Sequence, residues 1–203
     1  MRILILGAGA VGLTVAAKLS AHAEVYAVCR KRYADAIAVD GFVMTGIWGE
    51  GTYHFPCGEC VPSGSWDYII ISTKSAATRE ICESYQHLFG DAEVVSLQNG
   101  IGNEEIIREY TNHVIGAMII TGFEWREDNA VHVSVDGGET VFGRFPERRD
   151  AAVEALGNRV SSRRQRALAA PPVGHNSCVK VCYRYLPHPS GPGVAFSVGV
   201  CRE

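Results

Sequence analysis

No run of apolar residues in this 203-residue chain approaches the ~18–20 needed to cross a bilayer, so a membrane-spanning helix is not expected. The stretch from Met1 to Gly7 has one basic residue and a short apolar run, then turns glycine-rich without a small-residue cleavage site. A secretory leader is therefore not expected. The seven cysteines are odd in number and unevenly spaced, which argues against a disulfide framework and for reduced thiols in a cytoplasmic protein. Cys57-Gly58-Glu59-Cys60 is a solitary C-x-x-C. A closed zinc site needs four ligands, and His54 and Cys82 do not form a second pair, so no metal is expected. Arg163-Arg164-Gln165-Arg166 is a basic run without aromatic platforms, so nucleic acid is not an expected partner. The balance of 47% apolar and 20% charged residues is that of a soluble globular protein.

The net charge of −3 is unevenly spread. Residues 1–150 carry 12 Lys and Arg against 20 Asp and Glu. Residues 151–203 carry 7 against 2, with five of the eight prolines. Such a shift marks a boundary. From about Arg148 the periodicity fades, and no packing element is expected there.

Before that boundary the pattern alternates. Residues 2–6 form a short continuous apolar run, as in a strand buried on both faces. Val11 to Leu19 follow at helical spacing, and Glu24 to Cys29 read as a second strand, completing a βαβ unit. Residues 42–55 suggest a hairpin around Gly49-Glu50-Gly51. Further strands are predicted at 67–72, 93–97 and 113–120, and helices at 73–88 and 103–110. Val131–Val135 and Thr140–Phe142 suggest a closing hairpin around Asp136-Gly137-Gly138. Alternating strands and helices predict an α/β, doubly wound, mostly parallel sheet of Rossmann type.

Gly7-Ala8-Gly9-Ala10-Val11-Gly12 is G-x-G-x-x-G between a strand and a helix, the context that a dinucleotide site requires. The first glycine permits the turn, the second lets a pyrophosphate approach the backbone, and the third lets helix and strand pack closely. Free amides and the helix dipole then hold the phosphates. NAD sites place Asp or Glu after the second strand, whereas a 2′-phosphate needs an arginine. Here the sequence is Val28-Cys29-Arg30-Lys31-Arg32, with no carboxylate. A guanidinium can grip a 2′-phosphate with two hydrogen bonds. The inferred cofactor is NADP(H), with Arg30 on the 2′-phosphate.

With these residues, the strand end Ser72-Thr73-Lys74 and the block Val95 to Glu104 containing Gln98-Asn99-Gly100-Ile101-Gly102-Asn103, the chain resembles the ketopantoate reductase family (2-dehydropantoate 2-reductase). The strand containing Gly116-Ala117-Met118 and the segment from Val131 to Gly143 also fit. The resemblance covers roughly residues 1–145. It implies an NADP-binding domain over 1–145 and an incomplete or out-of-frame segment over 146–203. It implies that Lys74 contacts the cofactor, that Asn99 lies between nicotinamide and substrate, and that Thr121 or Gly122 makes a backbone contact to the cofactor. The activity implied is NADPH-dependent reduction of ketopantoate to pantoate, a step toward pantothenate and coenzyme A, with a small 2-keto acid as partner and a homo-oligomer left open.

Hydride arrival at the ketone builds negative charge on oxygen, which must be stabilised and protonated. The family does this with a lysine on a helix of a second domain, followed by asparagines at one-turn spacings. This sequence ends before such a domain is built. Lys180 lacks the following asparagines, so no catalytic residue is assigned. Shifted by one base, codons for Lys180 to Leu186 can encode Lys-Phe-Ala-Ile-x-Ile-Cys, which resembles that helix without its asparagines. A frameshift near residues 145–175 would explain the tail. The 203-residue chain is expected to bind NADP(H) at best and to turn over negligibly. The alternatives are a non-catalytic NADP-binding module or pseudogene product, and another NAD(P)-dependent 2-hydroxy-acid or sugar-acid dehydrogenase.

Overall fold

Continuous apolar runs become the interior strands of a seven-stranded sheet. The computed structural model describes residues 1–138, 140–146 and 156, and the strands at 181–187 and 194–200. The chain falls into two compact units, Met1–Ala170 and Pro171–Glu203.

In the first unit β1 (Arg2–Leu6), α1 (Ala10–Ser20) and β2 (Glu24–Val28) form the expected βαβ unit. α2 (Lys31–Asp40), β3 (Phe42–Gly46), β4 (Gly51–Tyr53) and the short β5 (Cys57–Gly58) follow. Next come β6 (Tyr68–Ile71), α3 (Thr78–Tyr85), β7 (Glu93–Ser96), α4 (Asn103–Arg108) and β8 (Val114–Met118). β9 (Thr121–Glu127), β10 (Ala130–Asp136) and β11 (Val141–Phe145) complete the unit. The main sheet has the order β11-β8-β7-β6-β1-β2-β5. It is parallel except for β11, which pairs antiparallel with β8. A second sheet has the order β4-β3-β10-β9. The Rossmann-type expectation thus holds for the main sheet.

Two apolar cores flank that sheet. On one face Ile3, Ile5 and Ile70 pack with Leu13 and Ala16 of α1 and with Phe42 and Val133 of the second sheet. On the other, Leu4, Leu6, Ile69 and Val94 pack with Cys82 of α3 and Ile107 of α4. Alternate residues of one strand feed opposite cores, as the period of two requires. Because both faces are covered, the strands read as unbroken apolar runs.

Three expectations are corrected. Val131–Val135 and Thr140–Phe142 do not form a hairpin: β10 pairs with β9 and β3, while β11 joins the main sheet beside β8. Asp136-Gly137-Gly138 is the crossing between sheets, and the Gly137 N–H donates to the Ile120 carbonyl at 2.6 Å. The helix expected at 73–88 is α3 between 3₁₀ turns at Ser75–Ala77 and Gln86–Leu88. Lys74 stands outside it in an extended conformation (φ −63°, ψ 144°). In the second unit, where no element was expected, β12 (Val181–Pro187) and β13 (Val194–Val200) form an antiparallel pair. Its alternating sequence, Val181, Tyr183, Tyr185 and Phe196, Val198, Val200, suits strands. The expected boundary at 145/146 adjoins residues 147–155, which lie outside the described residues, as do Lys180 and most of the stretch 145–175 in which the frameshift was placed.

Candidate functional site

From β1 the chain winds to β2 and β5 on one side, then returns to β6, β7 and β8 on the other. The reversal lies between β1 and β6, where open α/β sheets form a crevice beyond the carboxyl ends of their strands. The glycine turn leaves β1 at that edge. Cys29-Arg30 leave β2, Ser72-Thr73-Lys74 leave β6, and Gln98-Asn99 follow β7. Segments far apart in sequence therefore meet at one edge.

Gly7 sits at φ +70°, and a Cβ there would come within 1.9 Å of Thr73 Cγ2; both facts demand glycine. At Gly12 a Cβ would meet Ser72 Oγ at 2.4 Å and Ile5 Cγ2 at 3.3 Å. The third glycine thus serves close packing, against β6 as well as β1. At Gly9 a Cβ would meet nothing within 4 Å. The space beside Gly9 is open, as a backbone that admits a diphosphate requires. Gly9 is also the N-cap of α1, with no side-chain cap. The first-turn amides of Ala10, Val11 and Gly12 therefore have no side-chain cap from Gly9 and form the positive end of the helix dipole. Ala8 differs: its N–H donates to the Val28 carbonyl at 2.8 Å, so it ties the turn to β2 and is not free for a phosphate.

Arg30 is the exposed N-cap of α2. Its two neighbours are engaged. Lys31 pairs with Asp35 at 2.8 Å, and Arg32 faces Asp128 at 3.6 Å, donates to Tyr33 Oη at 2.6 Å and lies over the Tyr33 ring. Lys74 is exposed at the β6 end. Among the described residues, Arg30 and Lys74 are the Lys and Arg side chains with no hydrogen-bond or ion-pair partner. The others bond to carboxylates, carbonyls or rings. Two unpaired cations at one edge of a unit rich in carboxylates point to an anionic ligand.

Asn99 is exposed just past β7, and its carbonyl accepts the Ser75 hydroxyl at 2.6 Å. Thr121 opens β9 of the second sheet, opposite Asp136, three residues beyond the end of β8. Its buried hydroxyl has no partner among the described residues. Beneath Lys74 and Asn99 lie polar groups to which the sequence analysis assigned no role. Gln98, Thr78 and Asn103 are 4%, 0% and 1% exposed and hydrogen-bonded to one another and to Ser75. A run of polar residues following an apolar strand was the signal available for them.

The C-x-x-C places Cys57 on β5, beside β2. A hydrogen bond from Cys29 holds the Cys57 thiol below its usual range, and the same contact together with burial pushes Cys29 up. Among the described residues, no three His, Cys, Asp or Glu are grouped to hold a metal ion. Also among them, no helix is long and apolar enough to cross a membrane.

Comparison with known proteins places this geometry. The family described as "Ketopantoate reductase PanE/ApbA" matches residues 3–147. The 2-dehydropantoate 2-reductase of Pyrococcus horikoshii is 35% identical over 157 residues, covering 77% of this chain and 52% of that protein. Among solved structures, the 2-dehydropantoate 2-reductase of Geobacter metallireducens is 29% identical with a TM-score of 0.70, covering 79% of this chain and 55% of that one. A D-mandelate dehydrogenase solved with NADH and anilino(oxo)acetate shares the fold at 22% identity and a TM-score of 0.71, covering 84% and 57%. The chain spans about half the length of the curated relatives it matches.

Proposed function

The chain belongs to the ketopantoate reductase family, and from that premise we propose that residues 1–145 are the NADP(H)-binding part of an oxidoreductase that reduces the ketone of 2-dehydropantoate. The observation that carries the cofactor reading is the pair of unpaired cations, Arg30 and Lys74, on either side of an uncapped glycine turn.

Each residue then has a physical task. The open space at Gly9 admits the diphosphate, and the amides of Ala10, Val11 and Gly12 donate to its oxygens. Arg30 takes the 2′-phosphate with a forked pair of charge-assisted hydrogen bonds. A carboxylate at this position would repel that group. Lys74 offers a positive charge, and Asn99 an amide, at the ends of the strands beyond the switch point, on the nicotinamide side. Thr121 supports the cofactor from the second sheet. When bound, the dihydronicotinamide supplies a hydride to the ketone carbon. No residue of this chain is assigned to protonate the resulting alkoxide. We therefore expect the 203-residue chain to bind the cofactor and to turn over negligibly. Free thiols at Cys29, Cys57, Cys60 and Cys82 fit a reducing compartment, and we place the protein in the cytoplasm.

The test is titration of the purified chain with NADPH and NADH, repeated with Arg30→Ala. NADPH is expected to bind more tightly, and the variant to lose that preference. Equal affinities in the parent chain would refute NADP(H) selectivity. A second reading, reduction of another 2-keto acid, draws on the fold shared with D-mandelate dehydrogenase. A panel of 2-keto acids offered to a full-length relative separates the two. Turnover of ketopantoate by the 203-residue chain itself would overturn the expectation that it is inactive.

A further inference from the structure

The polar groups beneath Lys74 and Asn99 form a closed circuit. The Gln98 amide nitrogen donates to Thr78 Oγ1 at 2.9 Å. Thr78 Oγ1 lies 2.9 Å from both Asn103 Oδ1 and the Ser75 carbonyl oxygen, which share its single proton. Asn103 Nδ2 donates to Ser75 Oγ at 3.2 Å, and Ser75 Oγ donates to the Asn99 carbonyl at 2.6 Å. Asn99 is bonded to Gln98, so the ring closes through the chain. With the Thr78 proton on Asn103 every donor points the same way around, an arrangement in which each bond polarises the next; with it on the Ser75 carbonyl the same four residues stay linked.

The orientation of the Gln98 amide is fixed from outside. The Gln98 amide nitrogen also faces the Thr73 carbonyl oxygen at 3.0 Å and Thr73 Oγ1 at 3.2 Å. A carbonyl only accepts, so the Gln98 nitrogen must lie on that side. Thr78, Asn103 and Gln98 are buried. Water cannot replace their bonds, and a broken link leaves a desolvated polar group. The circuit ties the loop after β6 to the loop after β7, and both exposed site residues sit within it. Lys74 lies between Thr73 and Ser75, and Asn99 follows Gln98.

We propose that Gln98, Thr78, Asn103 and Ser75 are positioning residues that set the spacing between Lys74 and Asn99, and through it the seating of the nicotinamide half of the cofactor. This rests on the NADP(H) reading above. The adenosine half, at Arg30 beyond β2, lies outside the circuit and does not depend on it.

The test uses the full 203-residue chain, with Thr78→Val as the near-isosteric break, Ser75→Ala as a break on the half-exposed side, and Thr78→Ser as the rescue. Each is titrated with NADPH, followed by nicotinamide fluorescence, and with adenosine 2′,5′-bisphosphate, followed by calorimetry. Thr78→Val is expected to weaken NADPH about tenfold, and Ser75→Ala about threefold, the range for losing one hydrogen bond. Both are expected to bind the bisphosphate within about twofold of the parent and to shift the bound nicotinamide emission. Thr78→Ser is expected to restore the parent values. Equal weakening of the two ligands would mean a merely structural role and overturn the proposal, as would no change in either. If Thr78→Val does not fold, Ser75→Ala decides by the same comparison. A parent chain that binds neither ligand instead refutes the cofactor reading, and the proposal with it.

Discussion

The two ends of the main sheet are built from the same strands and treat charge in opposite ways. At the amino ends charges on neighbouring strands are matched with one another. Arg2 meets Glu24 at 3.0 Å, donates to the Ser65 carbonyl at 2.7 Å and lies over the Trp66 ring at 4.5 Å. The Asp67 carboxylate takes the Arg2 amide at 2.7 Å and faces the terminal amine at 3.8 Å. Glu93 is clasped by both Arg144 guanidinium nitrogens, with His113 at 3.8 Å. At the carboxyl ends, Arg30 and Lys74 stand unmatched beside a turn whose amides have no cap. One end uses its electrostatics to hold the strands together, and the other leaves two cations without a protein partner.

That contrast can be broken from either end. The largest effect is expected at Gly9. Gly9→Ala puts a methyl group into space that the fold leaves open, so unfolding by urea should be unchanged while NADPH affinity falls about a hundredfold or more. A variant that binds NADPH normally would mean the diphosphate does not lie there. Next comes Arg30→Ala, which should weaken NADPH by about tenfold to a hundredfold, the worth of charge-assisted bonds, and leave NADH alone. Competition titration with the two cofactors reads this directly. At the opposite end the sign of the outcome reverses. Arg144→Ala leaves Glu93, 17% exposed, without its clasp and should cost about 2 kcal/mol of stability by urea unfolding, with NADPH affinity unaffected. Loss of binding there would show that the two ends are coupled.

The smallest effect sharpens the comparison through thiols. Burial pushes the Cys82 thiol, in the core on the α3 side, up to about 11. Its folded value thus lies above its unfolded one. The native state favours the neutral thiol, a contribution that is fully present below the usual thiol range and is lost as pH rises toward 11. Cys82→Ala should flatten that part of the alkaline stability profile. At pH 8, alkylation of the folded chain should reach Cys57 and Cys60 and spare Cys29 and Cys82. Peptide mapping by mass spectrometry checks this, and early modification of Cys82 would contradict its burial.

Much of the carboxyl-end site could be read from sequence because its constraints are local. An apolar run ends, glycines follow, and the side chain after the next strand decides the ribose preference. Sheet membership is not local. Thr121 to Glu127 contain Glu124, Arg126 and Glu127 because β9 is an exposed edge strand, and no strand was expected there. The Asp136-Gly137-Gly138 turn signal was real, but nothing near it says that β11 must cross to β8. α2 was inconspicuous for a related reason: it buries only Tyr33 and Ile37, too narrow a stripe to stand out. The polar circuit escaped because each member is an ordinary turn residue, and only the adjacency of β6 and β7 makes them partners.

The contact of Gly7 and Gly12 with Thr73 and Ser72 links positions some sixty residues apart through a shared volume. The glycine turn cannot be remodelled alone at Gly7 or Gly12, since a methyl group added at either position meets the strand end beside it. Gly12→Ala should therefore be relieved most by Ser72→Gly, which removes the group nearest the added methyl, so the two sites behave in a double-mutant cycle as one position divided between two strands.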